Sequence, residues 1–112
     1  MIRYEDKEFS SLRELNDYFV NCGLTAFDEV EGLEWEELKV RTIKCHKFGP
    51  AHVHYIYLTL FRVSDGKSEM YVVTRSDVNS CCDYDKIYVW GWEESIFDEA
   101  VDEFVNEGFK LA

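Results

Sequence analysis

The chain has 112 residues, 46% of them hydrophobic and 16% aromatic, with 12 basic against 23 acidic residues and a net charge of −11. That length suits one domain spanning residues 1–112, and that apolar content supports a buried core, which argues against intrinsic disorder despite the charge. The negative surface repels phosphate and anionic lipid, so direct nucleic-acid binding is disfavoured and a basic protein surface is the natural partner.

Along the chain, Met1–Tyr4 reads as a short strand or an extended lead-in. Ser10 or Ser11 is a candidate N-cap, and Leu12, Leu15, Tyr18 or Phe19, and Cys22 recur at helical spacing before Gly23, which predicts a helix over 11–22. Residues 24–34 form an acidic connection with a helical turn. Residues 35–46 alternate as a strand with a bulge or an end near Thr42. Gly49-Pro50 marks a turn.

The strongest strand signal lies at 52–63. Val53, Tyr55, Tyr57, Thr59, Phe61 and Val63 occupy one face, and Ile56, Leu58 and Leu60 the other, so both faces are expected to be covered at least in part. Asp65-Gly66 predicts a hairpin turn. Met70–Thr74 returns as a strand, a polar loop follows, and 86–92 forms the last strand. A closing helix over 93–107 carries an apolar stripe of Phe97, Ala100, Val101, Phe104 and Val105.

The expected fold is α+β: an antiparallel sheet of four to five strands with an N-terminal and a C-terminal amphipathic helix, in the order (β)-α-β-β-β-β-α, both helices on one sheet face. No apolar run is long enough to span a membrane, and MIRYEDKEFSS lacks the apolar stretch of a signal peptide. Cys22, Cys45, Cys81 and Cys82 show no framework spacing, so reduced thiols in a cytoplasm are expected, the host cytoplasm for a phage-encoded chain.

The charge is unevenly spread. Residues 39–75 hold seven basic side chains (Lys39, Arg41, Lys44, Lys47, Arg62, Lys67, Arg75) and two acidic ones (Asp65, Glu69), so this segment carries +5 and the remainder −16. The carboxylates singled out as partner-binding are Glu31, Glu34, Glu36 and Glu37, with Glu94, Asp98, Glu99, Asp102 and Glu103 on the outer face of the closing helix. That helix has no basic residue to neutralise them.

A second candidate is aromatic. Period-two alternation puts Tyr88, Trp90 and Trp92 on one strand face, with Tyr55, Tyr57, Phe61 and Tyr71 on neighbouring strands. Such rings build a core, close a homodimer or anchor a partner. A single-stranded RNA platform would need basic surroundings.

The three histidines and Cys45 cluster around Gly49-Pro50. Cys45, His52 and His54 are weak metal-ligand or nucleophile candidates, but the spacing C-H-x5-H-x-H matches no standard zinc motif, and no orienting carboxylate is evident. Cys81-Cys82 is an adjacent thiol pair. Asp83-Tyr84-Asp85 lacks the pattern of an EF-hand loop. No phosphate-binding glycine loop, GxSxG or HExxH occurs, and no cofactor is expected.

These features point to a small non-enzymatic inhibitor that docks on a basic protein surface. One setting is a phage or mobile-element protein that fills the nucleic-acid groove of a host defence nuclease, in the manner of an anti-CRISPR protein. The alternatives are an immunity protein against a toxin nuclease and a small Cys/His-dependent or zinc-binding enzyme. The likeness to either inhibitor class rests on size, acidity and absence of motif.

Overall fold

Strands β1 (Ile2–Tyr4) and β2 (Lys7–Phe9), helix α1 (Leu12–Cys22), a 3-10 turn (Phe27–Glu29), strands β3 (Glu34–Cys45), β4 (His54–Ser64), β5 (Glu69–Asn79) and β6 (Asp83–Gly91), helix α2 (Ile96–Asn106) and strand β7 (Lys110–Leu111) follow one another in the computed structural model, which describes residues 1–45, 54–79 and 83–111. The expected Gly49-Pro50 turn, His46, His52 and Cys81-Cys82 lie outside the described residues. The fold is α+β, with a five-stranded antiparallel sheet in the order β6-β5-β4-β3-β7 and a separate β1-β2 hairpin.

Local chemistry accounts for the element ends. The Ser11 hydroxyl accepts from the Glu14 backbone N–H at 3.2 Å, and the Glu14 carboxylate accepts from the Ser10 N–H at 2.7 Å, a reciprocal cap of α1. At the other end Gly23 adopts φ +67°, which lets the Leu24 N–H reach back to the Phe19 carbonyl at 2.9 Å. The β4–β5 turn closes on Asp65, whose carboxylate accepts from the Lys67 and Ser68 N–H groups at 2.8 Å each.

The two helices lie on opposite faces of the sheet, not on one. Ile56, Leu58 and Leu60 of β4 are buried with Phe97, Ala100, Val101 and Phe104 of α2. Val63, with half-buried Phe61, packs instead with Leu12, Leu15 and Phe19 of α1, with Ile2, Tyr4 and Phe9 of the hairpin, and with Phe27. Even and odd positions of a strand point to opposite faces, so one strand feeds two cores. The apolar set on the odd face is concentrated towards the β4–β5 turn, and that on the even face towards the other end. Each helix therefore covers half of one face. The molecule measures 50 × 27 × 24 Å with a radius of gyration of 15.7 Å, longer than the roughly 13 Å of a compact domain this size.

Two β-bulges correct the expected facing of side chains. In β3 the register shifts between Glu37 and Lys39, which moves Leu38 onto the α2 face with Ile43; the bulge falls here and not near Thr42. In β6 Val89 pairs with Val73 but Ile87 with Thr74, so Tyr88 is the extra residue. Strand β5 runs on to Asn79, through residues expected to be loop, because every residue from Glu69 to Asn79 pairs with β4. β2 and β7 are further strands that no alternation announced. The closing helix starts at Ile96, not at residue 93, and Val105 stays exposed at 44%.

Because α1 and α2 each seal a separate cluster, Phe19→Ala and Phe104→Ala should each cost about 3–5 kcal/mol in urea unfolding. Val40→Thr, at a position 49% exposed, should change stability by less than about 0.5 kcal/mol.

Candidate functional site

The acidic candidates fall into two zones. Glu31, Glu34, Glu36 and Glu37 are all exposed where β3 begins, but they do not form one row. Glu36 sits opposite Arg62 and accepts from its guanidinium at 2.8 Å, and the same guanidinium lies 3.6 Å from Glu69. Glu37 sits opposite Phe61 and so faces the other way. Glu31 joins the β1–β2 hairpin to the sheet through a backbone bridge with Arg3.

On α2 the arrangement is different. Asp98, Glu99, Asp102 and Glu103 share the exposed side of one helix, because the buried side is taken by Phe97, Ala100, Val101 and Phe104. Glu103 accepts a hydrogen bond from the Tyr88 hydroxyl at 3.3 Å, and Glu94, in the turn before the helix, is 3.8 Å from the Lys39 ammonium. Asp98, Glu99 and Asp102 lie outside the ion pairs formed among the described residues.

Tyr88, Trp90 and Trp92 do not share a face, as a consequence of the bulge. Trp90 is half-buried in the α1 cluster, edge-on to Phe27 at 4.7 Å, and donates its indole N–H to the Asn16 side chain at 2.8 Å. Trp92 lies nearby with the Arg13 guanidinium 4.6 Å from its ring. Tyr88 turns to the α2 side against Phe104, at 5.7 Å. Burial, then the Glu103 charge, pushes the Tyr88 phenol above its ordinary range.

Of the Cys/His candidates, the backbone register sets Cys45 opposite His54, while His52 lies outside the described residues. The His54 imidazole is 3.3 Å from the buried Asp77 carboxylate, which also receives two hydrogen bonds from Arg75, at 2.6 and 3.0 Å. The Arg75 guanidinium lies 5.2 Å from the Phe104 ring and 5.9 Å from that of Tyr88. Burial alone would raise the Asp77 carboxyl, but the Arg75 hydrogen bonds and charge, with His54, outweigh it and hold it below the ordinary 3.8. Among the described residues no three His, Cys, Asp or Glu side chains converge as a metal site would need.

Tyr55 and Tyr57, named among the aromatic candidates, do lie on a half of the sheet face that α1 leaves open, but the sequence did not disclose the groove at its border. Val40, Thr42, Tyr55, Tyr57, Thr59, Thr74 and Ser76 lie on the α1 side by register yet belong to neither core cluster. Tyr55 and Tyr57 stand with ring centroids 6.4 Å apart. Where the cover ends, a groove of about 450 Å³ opens between residues 25–29 and the sheet, lined by Thr25, Ala26, Asp28, Glu29, Phe61, Thr74, Ser76, Asp85, Lys86 and Ile87. The signal for it was present in the polar run of Thr59, Thr74 and Ser76. Reading it required the true length of β5.

No helix among the described residues is long and apolar enough to cross a membrane. No family model matches the chain, and neither a curated protein nor a solved structure gives a match.

The Asp77 cluster has a pH signature. A carboxyl whose folded pKa is depressed contributes stability that is complete above its unfolded value, 3.8, and is lost as pH falls through the lower folded value. Urea unfolding across the acid range should show this loss in the wild type and a flatter profile in Asp77→Asn. That variant should also lose roughly 1–3 kcal/mol at neutral pH, where Arg75 keeps a weaker partner.

Proposed function

We propose that this protein works by binding, through the outer face of α2, a basic surface of another protein. The observation that carries the reading is the set Asp98, Glu99 and Asp102, exposed on one side of a helix and outside the ion pairs among the described residues. Asp98 and Asp102, like Glu99 and Glu103, stand four residues apart, a like-charge spacing that destabilises a helix by about 0.2–0.5 kcal/mol per pair. Asp98 and Glu99 gain from the helix N-terminus, but no basic residue lies in the last turn and Glu107 caps the C-terminal end, against the dipole. A cationic partner would turn this local cost into an interaction.

A nucleic-acid groove is the protein surface where Lys and Arg are densest, so a nucleic-acid-binding enzyme is the partner class that best suits an exposed line of carboxylates. An inhibitor of a host defence nuclease and an immunity protein against a toxin nuclease would both use this physics. The elongated shape supports the reading, since a long narrow body can follow a groove.

The test begins with affinity capture from the native cell or its host at low and high salt. The captured partner should be basic at its binding surface, and its affinity should fall by about tenfold or more as salt rises, because exposed charge pairs are screened. The triple variant Asp98→Asn, Glu99→Gln, Asp102→Asn should weaken association by a similar factor while remaining folded and melting within a few degrees of the wild type, because the lost helix-dipole interactions and the relieved repulsion are of similar size. Association that ignores both salt and the triple variant would overturn the proposal.

A further inference from the structure

We infer that the groove between residues 25–29 and the open half of the sheet is a seat for an arginine side chain of the cationic partner, an inference that rests on the reading of that partner as a basic protein. The groove exists because cover by the α1 layer stops at Phe61 and Ile87, beyond which Thr74 and Ser76 continue the same face uncovered. Its walls are anionic on both sides. Asp28 and Glu29 come from the 3-10 turn, and Asp85 from β6. The Ser76 hydroxyl donates to Asp85 and so fixes that carboxylate on the sheet.

None of the three carboxylates takes part in the ion pairs formed among the described residues. Among the described residues Lys86 is the one cation lining the groove, but it pairs in register with Arg75 and its side chain therefore follows Arg75 to the α2 side. The apolar part of the lining includes the half-buried ring of Phe61, held edge-on by Trp35 at 5.4 Å. Opposed carboxylates beside an aromatic ring suit a guanidinium better than an ammonium. The planar fork of arginine donates to two carboxylates at once and packs on rings, whereas lysine offers a compact, strongly hydrated charge.

The probe is the blocked tripeptide Gly-Arg-Gly, titrated into 15N-labelled protein, with Gly-Lys-Gly as comparator. Saturable shifts are expected at the amides of Ala26, Thr74, Ser76 and Ile87, larger and at lower concentration for the arginine peptide. Glu29→Gln combined with Asp85→Asn should abolish them. Asp28→Asn, on the exposed turn, reports the same loss with no risk to the sheet. The α2 triple variant should keep them. Shifts that are absent, equal for both peptides, or unchanged by the groove variants overturn the seat. In that case, partner binding that stays sensitive to salt and to the α2 variant leaves the parent reading intact, and binding insensitive to both removes the parent reading as well.

Discussion

Strand β4 has to be dry on both faces, and the requirement falls at different points along its length. Ile56, Leu58 and Leu60 need cover on one side, and Phe61 and Val63 on the other. Each such side chain contributes about 1.5–3 kcal/mol on full burial, so neither set can be left to water. A layer on one face alone would satisfy half of them. The chain answers with two small layers placed diagonally across one sheet, and the remaining features follow from that placement. Two half-faces stay open, and each is handled differently. On the α2 side Arg62 stands between Glu36 and Glu69. On the α1 side hydroxyls and the Tyr55–Tyr57 pair take over. Tyrosine and serine supply contact area and adaptable hydrogen bonds at small entropic cost, a composition suited to recognition.

The buried charges belong to the same logic. Asp77 lies on the α2 face of β5 opposite Ile56, and its charge is held by two hydrogen bonds from Arg75. Arg75 also approaches the Phe104 and Tyr88 rings, so one guanidinium joins strand, helix and bulge. Lysine could not replace it, because the fork to the carboxylate and the planar packing would both be lost.

Much of the secondary structure was legible in the residues. The Ser10-Ser11 pair and Gly23 mark both ends of α1, Asp65-Gly66 marks the hairpin, and the Phe97–Phe104 stripe marks α2, because each signal is local. What escaped was non-local. A single extra residue reverses every later side chain on a strand, and nothing at Leu38 or Tyr88 announces that it is the extra one. The aromatic trio therefore looked coplanar and is not. β5 read as loop after Thr74 because Arg75, Ser76 and Asp77 are polar, while their reason for being in a strand lies across the sheet. β2 and β7 are too short for alternation to register. Of the candidate site, the α2 carboxylates stood in plain view, whereas the groove depends on residues from four separate segments.

The sheet is a single layer, and β6 forms one of its margins. Carboxylates of α2 lie to one side of that margin, and the Asp28–Asp85 furrow opens on the other. A flat receptor would touch one side and leave the other in water. If the partner proposed above engaged both, it would have to straddle the rim, so the thinness of the scaffold would constrain that geometry as much as the charge does.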